Sequence, residues 1–246
     1  MKNVIFGKNS VFEALISGRQ INKIFVQNRL NFIFPENIKK ILIKKKVVLQ
    51  YVSKEKIDGV LKNSNHQGIL AFVALYNYFS LDEILNDAKK NVEPAFVLIL
   101  DGITDVGNFG GIIRTACSAG CHGIVISKNK SVSLGGVVAK TSSGAVEYIK
   151  ICRVSNISQT IIKLKSLGFW VFGADLEGEK LYFESDFRGD IGIVIGSEGR
   201  GITRTVKEKC DFLIRIPMLG NVKSLNASVA AGILMFEALK QRKFDN

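Results

Sequence analysis

Six short apolar runs alternate with helical segments through the second half of the chain, and this rhythm constrains the fold more than any other feature. Apolar runs without polar alternation are typical of parallel strands that helices cover on both faces. The sequence therefore predicts an α/β domain built on a parallel sheet. The predicted strands are residues 96–100, 123–127, 146–151, 169–172, 191–195 and 212–216.

The first 76 residues predict a second, smaller α/β unit, because short helix and strand signals alternate there. A capping box formed by Ser80 and Glu83 follows this unit, and the polar stretch that ends at Pro94 is typical of a connector. We therefore expect a small domain over residues 1–76, a linker over 77–94 and the larger domain over 95–246.

The positive charge of the chain is concentrated in its first third. The formal net charge is +12, and residues 1–79 contribute +9 of it, from 13 Lys and Arg against 4 Asp and Glu. A polyanion such as RNA would be drawn to such a surface by counterion release and electrostatic steering. An ordinary lysine-rich surface would give the same count, so charge alone leaves both interpretations open.

Several classes of protein are disfavoured because their sequence signatures are missing. The glycine-rich segment at 101–111 lacks the spacing of a dinucleotide site or a P-loop, and no nucleophile elbow occurs. His66 and His122 are the only histidines, and four scattered cysteines predict neither a disulfide framework nor a zinc site. No apolar run is long enough for a membrane span, and no leader precedes Val4. We expect a cytoplasmic protein that needs neither a membrane nor a metal.

Glycine and polar residues gather just after three of the predicted strands. The first cluster is Asn108, Gly110 and Arg114, the second spans residues 195–202, and the third spans residues 216–228. In an open parallel sheet, ligands bind beyond the carboxyl ends of the strands. The three clusters together therefore indicate a binding site at this edge of the sheet.

These clusters resemble the motifs of the SpoU-type RNA 2′-O-ribose methyltransferases, which belong to the trefoil-knotted SPOUT superfamily. The matching segments are NFGGIIR at 108–114, VIGSEGRGI at 194–202 and IPMLGNVKSLNASVA at 216–230. The N-terminal unit, with GKNSVFEAL at 7–15 and HQG at 66–68, resembles the substrate-binding domain of the family, which is related to RNA-binding ribosomal proteins. The whole arrangement is most similar to the branch that methylates a guanosine of 23S ribosomal RNA.

The resemblance implies more than the sequence pattern does. It implies a C-terminal deep trefoil knot, a homodimer, S-adenosylmethionine as methyl donor and structured RNA as substrate. The positions that match donor-binding residues of the family are Gly173, Ala174, Gly196, Ile216 and Leu225. The positions that match its active-site residues are Asn108, Arg114, Glu198, Ser224 and Asn226.

The resemblance leaves three questions open. Arg114 is either a base assisted by the RNA phosphate or a group that positions phosphate and hydroxyl, because arginine is almost never deprotonated in proteins. Arg200 and Lys223 occupy variable positions and are candidates for phosphate contacts. The substrate could instead be transfer RNA, and a non-catalytic RNA-binding assembly factor could share the fold.

Overall fold

The computed structural model describes residues 3–28, 32–61, 64–222 and 224–245, which form two compact units. Unit 1 comprises the described residues of Met1–Asn77 together with Ser133–Tyr148, and unit 2 comprises Tyr78–Val132 together with the described residues of Ile149–Asn246. The chain therefore leaves unit 2 after Val132, adds a segment to unit 1 and returns at Ile149.

Helices and strands alternate along the described chain. The helices are α1 Lys8–Ile16, α2 Glu36–Lys44, α3 Lys54–Leu61, α4 Leu81–Lys90, α5 Val106–Ser118, α6 Gly136–Thr141, α7 Ile157–Ser166, α8 Arg204–Lys207 and α9 Ala227–Lys243. The strands are β1 Val4–Phe6, β2 Ile21–Gln27, β3 Val48–Val52, β4 Ile69–Val73, β5 Phe96–Asp101, β6 Gly123–Ser127, β7 Lys150–Val154, β8 Trp170–Ala174, β9 Lys180–Leu181, β10 Ile191–Gly196 and β11 Phe212–Arg215.

Unit 1 is a small mixed sheet packed against helices. Its strand order is β1-β4-β2-β3, in which β4 runs antiparallel to both β1 and β2 while β3 runs parallel to β2. Phe6, Phe25, Ile57 and Leu70 are buried together in its core. The predicted α/β character of this region is confirmed.

The segment Ser133–Tyr148 departs from the sequence prediction, which placed it in the larger domain. It carries α6 and a 3₁₀ turn at Ala145–Glu147, and it packs on the N-terminal helix and strand of unit 1. The Ser10 hydroxyl donates to the Ala139 carbonyl (3.0 Å), and a Cβ on Gly136 would lie 2.2 Å from the Val4 carbonyl oxygen. The predicted strand at 146–151 is wrong in its first half, because Val146 turns into this core and the strand begins only at Lys150.

Unit 2 contains the predicted parallel sheet. Its strand order is β7-β6-β5-β10-β8-β11-β9, and each neighbouring pair is parallel. Strand β10 follows β8 and β9 in sequence but lies between β5 and β8, and β11 then lies between β8 and β9. The central strands β5 and β10 are buried along nearly their whole length, which explains their continuous apolar sequence.

The predicted linker at 77–94 is instead part of unit 2 from Tyr78 onward. The capping box of Ser80 and Glu83 is present and begins α4, whose apolar face packs into the core of the sheet. The approach is close, since a Cβ on Gly123 would lie 2.5 Å from Ile84 Cδ1. The polar composition of this stretch, which predicted a linker, conceals the amphipathic spacing of α4. In the described part of the chain, no helix is long and apolar enough to cross a membrane.

Candidate active site

The site lies where the central strands of unit 2 end. Strands β5, β8, β10 and β11 are parallel neighbours of one sheet, so their carboxyl ends share one edge. The loops that follow these four strands therefore converge there. They carry all three of the polar clusters that the sequence analysis singled out.

A cavity of about 430 Å³ opens among these loops. Its walls combine apolar side chains and five charged residues with the glycine-rich backbone of Gly196–Gly201. The apolar lining residues are Ile195, Ile214, Ile216, Met218 and Leu225, and the charged ones include Asp175, Glu177 and Lys207. Lys207 Nζ lies 2.6 Å from Asp175 Oδ2, so that carboxylate is already paired.

The structure brings most of the predicted donor-binding positions to this cavity. Ala174, Gly196, Ile216 and Leu225 line it, as do the predicted active-site residues Glu198 and Ser224. Gly173 lies one residue earlier on β8 and is not among the lining residues. A Cβ there would lie 3.0 Å from both Cys210 Sγ and Leu213 Cδ2, so glycine makes room for the packing behind the cavity wall.

Gly196 is required by a tight backbone turn at the end of β10. Ser197 N donates to the Gly201 carbonyl (3.1 Å), and Gly201 N donates to the Ser197 carbonyl (2.8 Å), so the loop folds back onto the strand end. A Cβ on Gly196 would lie 2.0 Å from the Gly201 carbonyl carbon. Gly201 itself has a φ of 64°, in the left-handed region that glycine adopts readily.

Asp101 fixes the other end of this loop, and the sequence analysis did not single it out. Its Oδ2 accepts hydrogen bonds from the backbone N–H and the hydroxyl of Thr203, each at 2.7 Å. Asp101 is the last residue of β5, and strand-end position was the signal that could have identified it. The carboxylate ties the loop that follows β10 to the end of the neighbouring strand.

A chain of directed hydrogen bonds joins the three motifs. Asn226 Nδ2 donates to Asn108 Oδ1 (2.8 Å), and Asn108 Nδ2 donates to Glu198 Oε1. At the other end, Asn226 Oδ1 accepts from the backbone N–H (2.9 Å) and the hydroxyl (2.6 Å) of Ser228. Because each amide donates on one side and accepts on the other, both amide orientations are fixed. Glu198, Asn108, Asn226 and Ser228 are called the amide relay below.

Close packing of α5 on α9 places the two asparagines in reach of each other. A Cβ on Gly111 would meet Ser228 Cβ at 3.3 Å, and a Cβ on Gly232 would meet Thr115 Cγ2 at 3.6 Å. Both helices also begin at side-chain caps: Asp105 Oδ1 accepts from Asn108 N (2.7 Å), and Asn226 caps α9. Asn226 therefore acts both as a helix cap and as a member of the relay.

Arg114 lies apart from the amide relay. It is exposed on α5, six positions after Asn108, which rotates it about 120° around the helix from that residue. Within the described residues its guanidinium has no hydrogen-bond or ion-pair partner, so its five donors remain available. Arg200 lines the cavity, whereas Lys223, the other candidate for phosphate contacts, lies outside the described residues.

The histidines and cysteines stand outside this chemistry. His122 Nδ1 accepts from Phe96 N (3.1 Å) at the start of β5, and burial lowers the pKa of His122. Burial raises the pKa of Cys117 to about 11 and that of Cys210 to about 12, so both thiols stay protonated near neutral pH. Among the described residues, no group of three or more His, Cys, Asp or Glu side chains could hold a metal ion.

Comparison with known families gives two matches that together span most of the chain. Residues 95–236 match the SpoU rRNA Methylase family, and residues 4–79 match the family described as RNA 2′-O ribose methyltransferase substrate binding. A Staphylococcus saprophyticus protein assigned to the TrmH family of tRNA/rRNA methyltransferases is 45% identical over 98% of this chain and 96% of its own length. The Bacillus subtilis protein YacO, assigned to the same family, is 42% identical over 97% of this chain and 95% of its own length.

Solved structures show the same fold at lower identity. The SpoU methyltransferase AviRb from Streptomyces viridochromogenes, in complex with AdoMet, is similar with a TM-score of 0.80 at 22% identity, over 97% of this chain and 89% of that one. An AdoMet-bound rRNA methyltransferase from Sinorhizobium meliloti is similar with a TM-score of 0.75 at 24% identity, over 96% of this chain and 86% of that one.

Proposed function

Because the chain belongs to the SpoU rRNA Methylase family, we propose that it transfers a methyl group from S-adenosylmethionine to a ribose 2′-hydroxyl in structured RNA. The observation that carries this proposal is the amide relay, which lies at the strand ends together with the apolar cavity. The match of residues 4–79 to a substrate-binding family of RNA 2′-O ribose methyltransferases supports the ribose oxygen as acceptor.

The cavity fits a nucleoside-type methyl donor. Its volume of about 430 Å³ falls in the range of about 300–1,000 Å³ that small-ligand pockets occupy. Ile195, Ile216 and Leu225 offer an apolar slot for a flat base, and the backbone of the loop at 196–201 offers hydrogen-bonding groups at its edge. S-adenosylmethionine supplies a methyl group that its sulfonium centre already activates. The bound AdoMet of AviRb, which has the same fold, supports this assignment.

The chain's own residues then orient the substrate that accepts the methyl group. The amide relay holds the Glu198 carboxylate in one position, so a hydroxyl or amine of the substrate donates a hydrogen bond to a group that is already ordered. Arg114, as a guanidinium that proteins almost never deprotonate, positions the phosphate next to the reacting ribose with its planar fork of donors. Ser224 lines the cavity and belongs to the loop that ends in the relay residue Asn226.

We further propose that the RNA is large-subunit ribosomal RNA and the target a guanosine. The S. meliloti protein, described as an rRNA methyltransferase, matches 96% of this chain, so both units have counterparts in it. Two solved enzymes described as acting on tRNA match only 67% and 60% of this chain. The TrmH-family relatives are assigned to tRNA/rRNA methyltransferases without a choice between the two substrates.

The proposal includes a knotted, dimeric enzyme. Strands β10 and β11 each insert between strands that precede them in the chain, and this order supports the proposed trefoil knot. Exposed Val229 and Phe236 lie seven residues apart on one face of α9 and provide an apolar stripe for a second copy. Sedimentation equilibrium tests the dimer, which Val229→Asp with Phe236→Asp should dissociate.

Mapping 2′-O-methyl sites in total RNA from cells with and without the gene tests the function. We expect one ribose in large-subunit ribosomal RNA to lose its methyl group when the gene is deleted. If a transfer-RNA position loses its methyl group instead, the substrate is transfer RNA. An unchanged map of 2′-O-methyl sites would overturn the proposed activity.

Arg114→Ala tests whether Arg114 positions the RNA and leaves donor binding to the residues of the cavity. Donor affinity, measured by calorimetry, should stay near that of the parent protein, while methyl transfer falls on the order of 100-fold because a positioned group is lost. Arg114→Lys should recover little, since an ammonium cannot reproduce the planar fork. Arg204→Ala, which removes an exposed arginine paired with Glu208, is the control for surface charge. Lost donor binding with normal turnover at saturating donor would place Arg114 in the cavity instead.

A further inference from the structure

Unit 1 contains an open groove of about 810 Å³ whose lining shares no residue with that of the cavity in unit 2. Its lining consists of Lys8, Gln27, Lys54, Asp58 and the turn Ser64–Gly68, and we call it the unit 1 groove. Part of this turn is HQG at 66–68, one of the segments that resemble the substrate-binding domain of the family.

His66 builds the turn from inside. Its side chain is buried, and its Nδ1 accepts from the backbone N–H of Gly68 (3.0 Å). In a neutral imidazole the other nitrogen then carries the hydrogen, so Nε2 donates to Asp58 Oδ1 (3.1 Å). His66 thereby fixes the turn and also engages the Asp58 carboxylate, which lines the groove.

Gln67 is held in an uncommon conformation with its amide exposed. Its φ is 53°, in the left-handed region that few residues other than glycine adopt. Its Oε1 accepts from Lys140 Nζ (2.6 Å) and from Lys8 N (3.1 Å), and both of these donors belong to unit 1. Two donors on one atom identify that atom as the oxygen, so the Nε2 group faces the other way. Among the described residues, no acceptor takes either of its two N–H groups.

The groove presents donors and positive charge with little to offset them. The Lys8 and Lys54 side chains are exposed at its margin, and Lys140 stands behind Gln67. Asp58 is the single carboxylate among the described residues of the lining, and it already accepts from His66. Backbone strain of the kind seen at Gln67 persists where surrounding contacts enforce it, and it is concentrated at ligand-binding sites. A ligand rich in acceptors and negative charge fits this arrangement.

We propose that the unit 1 groove binds an unpaired nucleotide of the RNA substrate. Lys8 and Lys54 pair with phosphates that flank the nucleotide, and the Gln67 amide donates to an acceptor on its base. An unpaired nucleotide is favoured over a duplex because exposed base edges are read mainly in loops and bulges of RNA. This inference rests on the proposed function, since it names the feature of the RNA that unit 1 recognises.

Binding of a labelled, unmodified transcript of large-subunit ribosomal RNA tests the groove, with a transfer-RNA transcript as a second probe. Lys8→Ala with Lys54→Ala should raise the Kd about tenfold and reduce the salt slope of log Kd by about 1.4, the share of two phosphates on a single strand. Lys40→Ala with Lys44→Ala removes the same charge from exposed positions of α2 and is the matched control. An equal rise in Kd in both double variants would show that only the overall charge of unit 1 matters.

Gln67→Gly separates recognition from folding. Glycine adopts the left-handed backbone without strain, and this gain offsets the two hydrogen bonds that Gln67 Oε1 accepts from Lys140 Nζ and Lys8 N, so urea unfolding should show a stability near that of the parent protein. The Kd for the ribosomal transcript should nevertheless rise about fivefold, an effect of the lost base contact. Unchanged affinity in Gln67→Gly would overturn the base contact, because the variant folds and no longer carries the amide.

The same variants distinguish this inference from the proposed activity. In methyl-transfer assays, the groove variants should raise KM for RNA and leave kcat near that of the parent protein. If the parent protein methylates no RNA while the groove variants still weaken binding, the proposed activity fails and the groove stands. If methyl transfer is confirmed and neither KM nor Kd changes in the variants, the groove fails.

Discussion

The substitution Asn226→Asp replaces one donor of the amide relay with an acceptor and keeps the cap of α9. Aspartate caps a helix as well as asparagine does, so Oδ1 can still accept from the Ser228 backbone N–H. The second oxygen replaces the Nδ2 donor and faces Asn108 Oδ1, an acceptor. Asn108 can restore this contact only by rotating its amide, which then turns its oxygen toward Glu198.

The expected magnitude follows from the number of hydrogen bonds that cannot be satisfied together. In either orientation of the Asn108 amide, one hydrogen bond of the relay is lost, worth about 1 kcal/mol net, and the two acceptors left facing each other without a donor add a similar cost. If the transition state loses about 2 kcal/mol of stabilisation in this way, kcat/KM for methyl transfer falls about 30-fold. Stability should change by less, because the cap remains.

Single-turnover methyl transfer from labelled donor, measured beside urea unfolding, separates the two effects. Asn226→Ser is the matched variant: it also keeps a capping side chain, but it removes the donor without adding an acceptor that repels Asn108. We expect the order parent, Asn226→Ser, Asn226→Asp in kcat/KM, with similar unfolding midpoints for all three proteins. Full activity of Asn226→Asp would refute the reasoning, since no arrangement of its oxygens satisfies the relay.

Two further predictions concern the framework that carries the site. Arg242 donates to the carbonyl groups of Phe187 (2.8 Å) and Pro94 (2.8 Å), among others. Arg242→Ala should therefore lower the free energy of unfolding, measured by urea titration, by about 3 kcal/mol. The control variant Arg204→Ala should change it negligibly. Burial lowers the pKa of His122 from 6.5, although the charge of Glu93 opposes the shift. The unfolded chain therefore binds this proton more readily, so the free energy of unfolding should fall as pH decreases from about 7.5 to about 5.5. His122→Gln should flatten that dependence in urea titrations at several pH values, and an unaltered slope would contradict the assignment.

The parallel sheet and the converging loops could be predicted because each depends on local sequence. Buried parallel strands such as β5 and β10 show as continuous apolar runs, and strand ends of a parallel sheet must share an edge. That reasoning alone places Asn108, Glu198 and Asn226 at one edge of the sheet, where the amide relay joins them. Their individual roles in methyl transfer remain predictions.

The contacts between distant segments could not be predicted in the same way. The apolar face of α4 lies within a polar stretch, and only its partner on β6 shows that it is buried. Val146 continues an apolar run that is typical of a strand, yet it packs into unit 1 and leaves the strand to begin at Lys150. In both cases the partner lies far along the chain, and single-sequence periodicity carries no information about it.

The position of Ser133–Tyr148 changes what a truncation of this protein means. Glu147 is buried in unit 1, where its Oε1 accepts from Arg19 (2.8 Å) and from the Tyr76 hydroxyl (2.6 Å). Burial, followed by the nearby Glu147 charge, raises the pKa of Tyr76, so the phenol stays protonated as a donor. Removing residues 1–79 would leave this carboxylate without either partner and expose the apolar face of α6. Unit 1 is therefore completed by a segment from the middle of the chain, and point variants such as those at Lys8 and Gln67 are sounder probes of its RNA contacts than deletion.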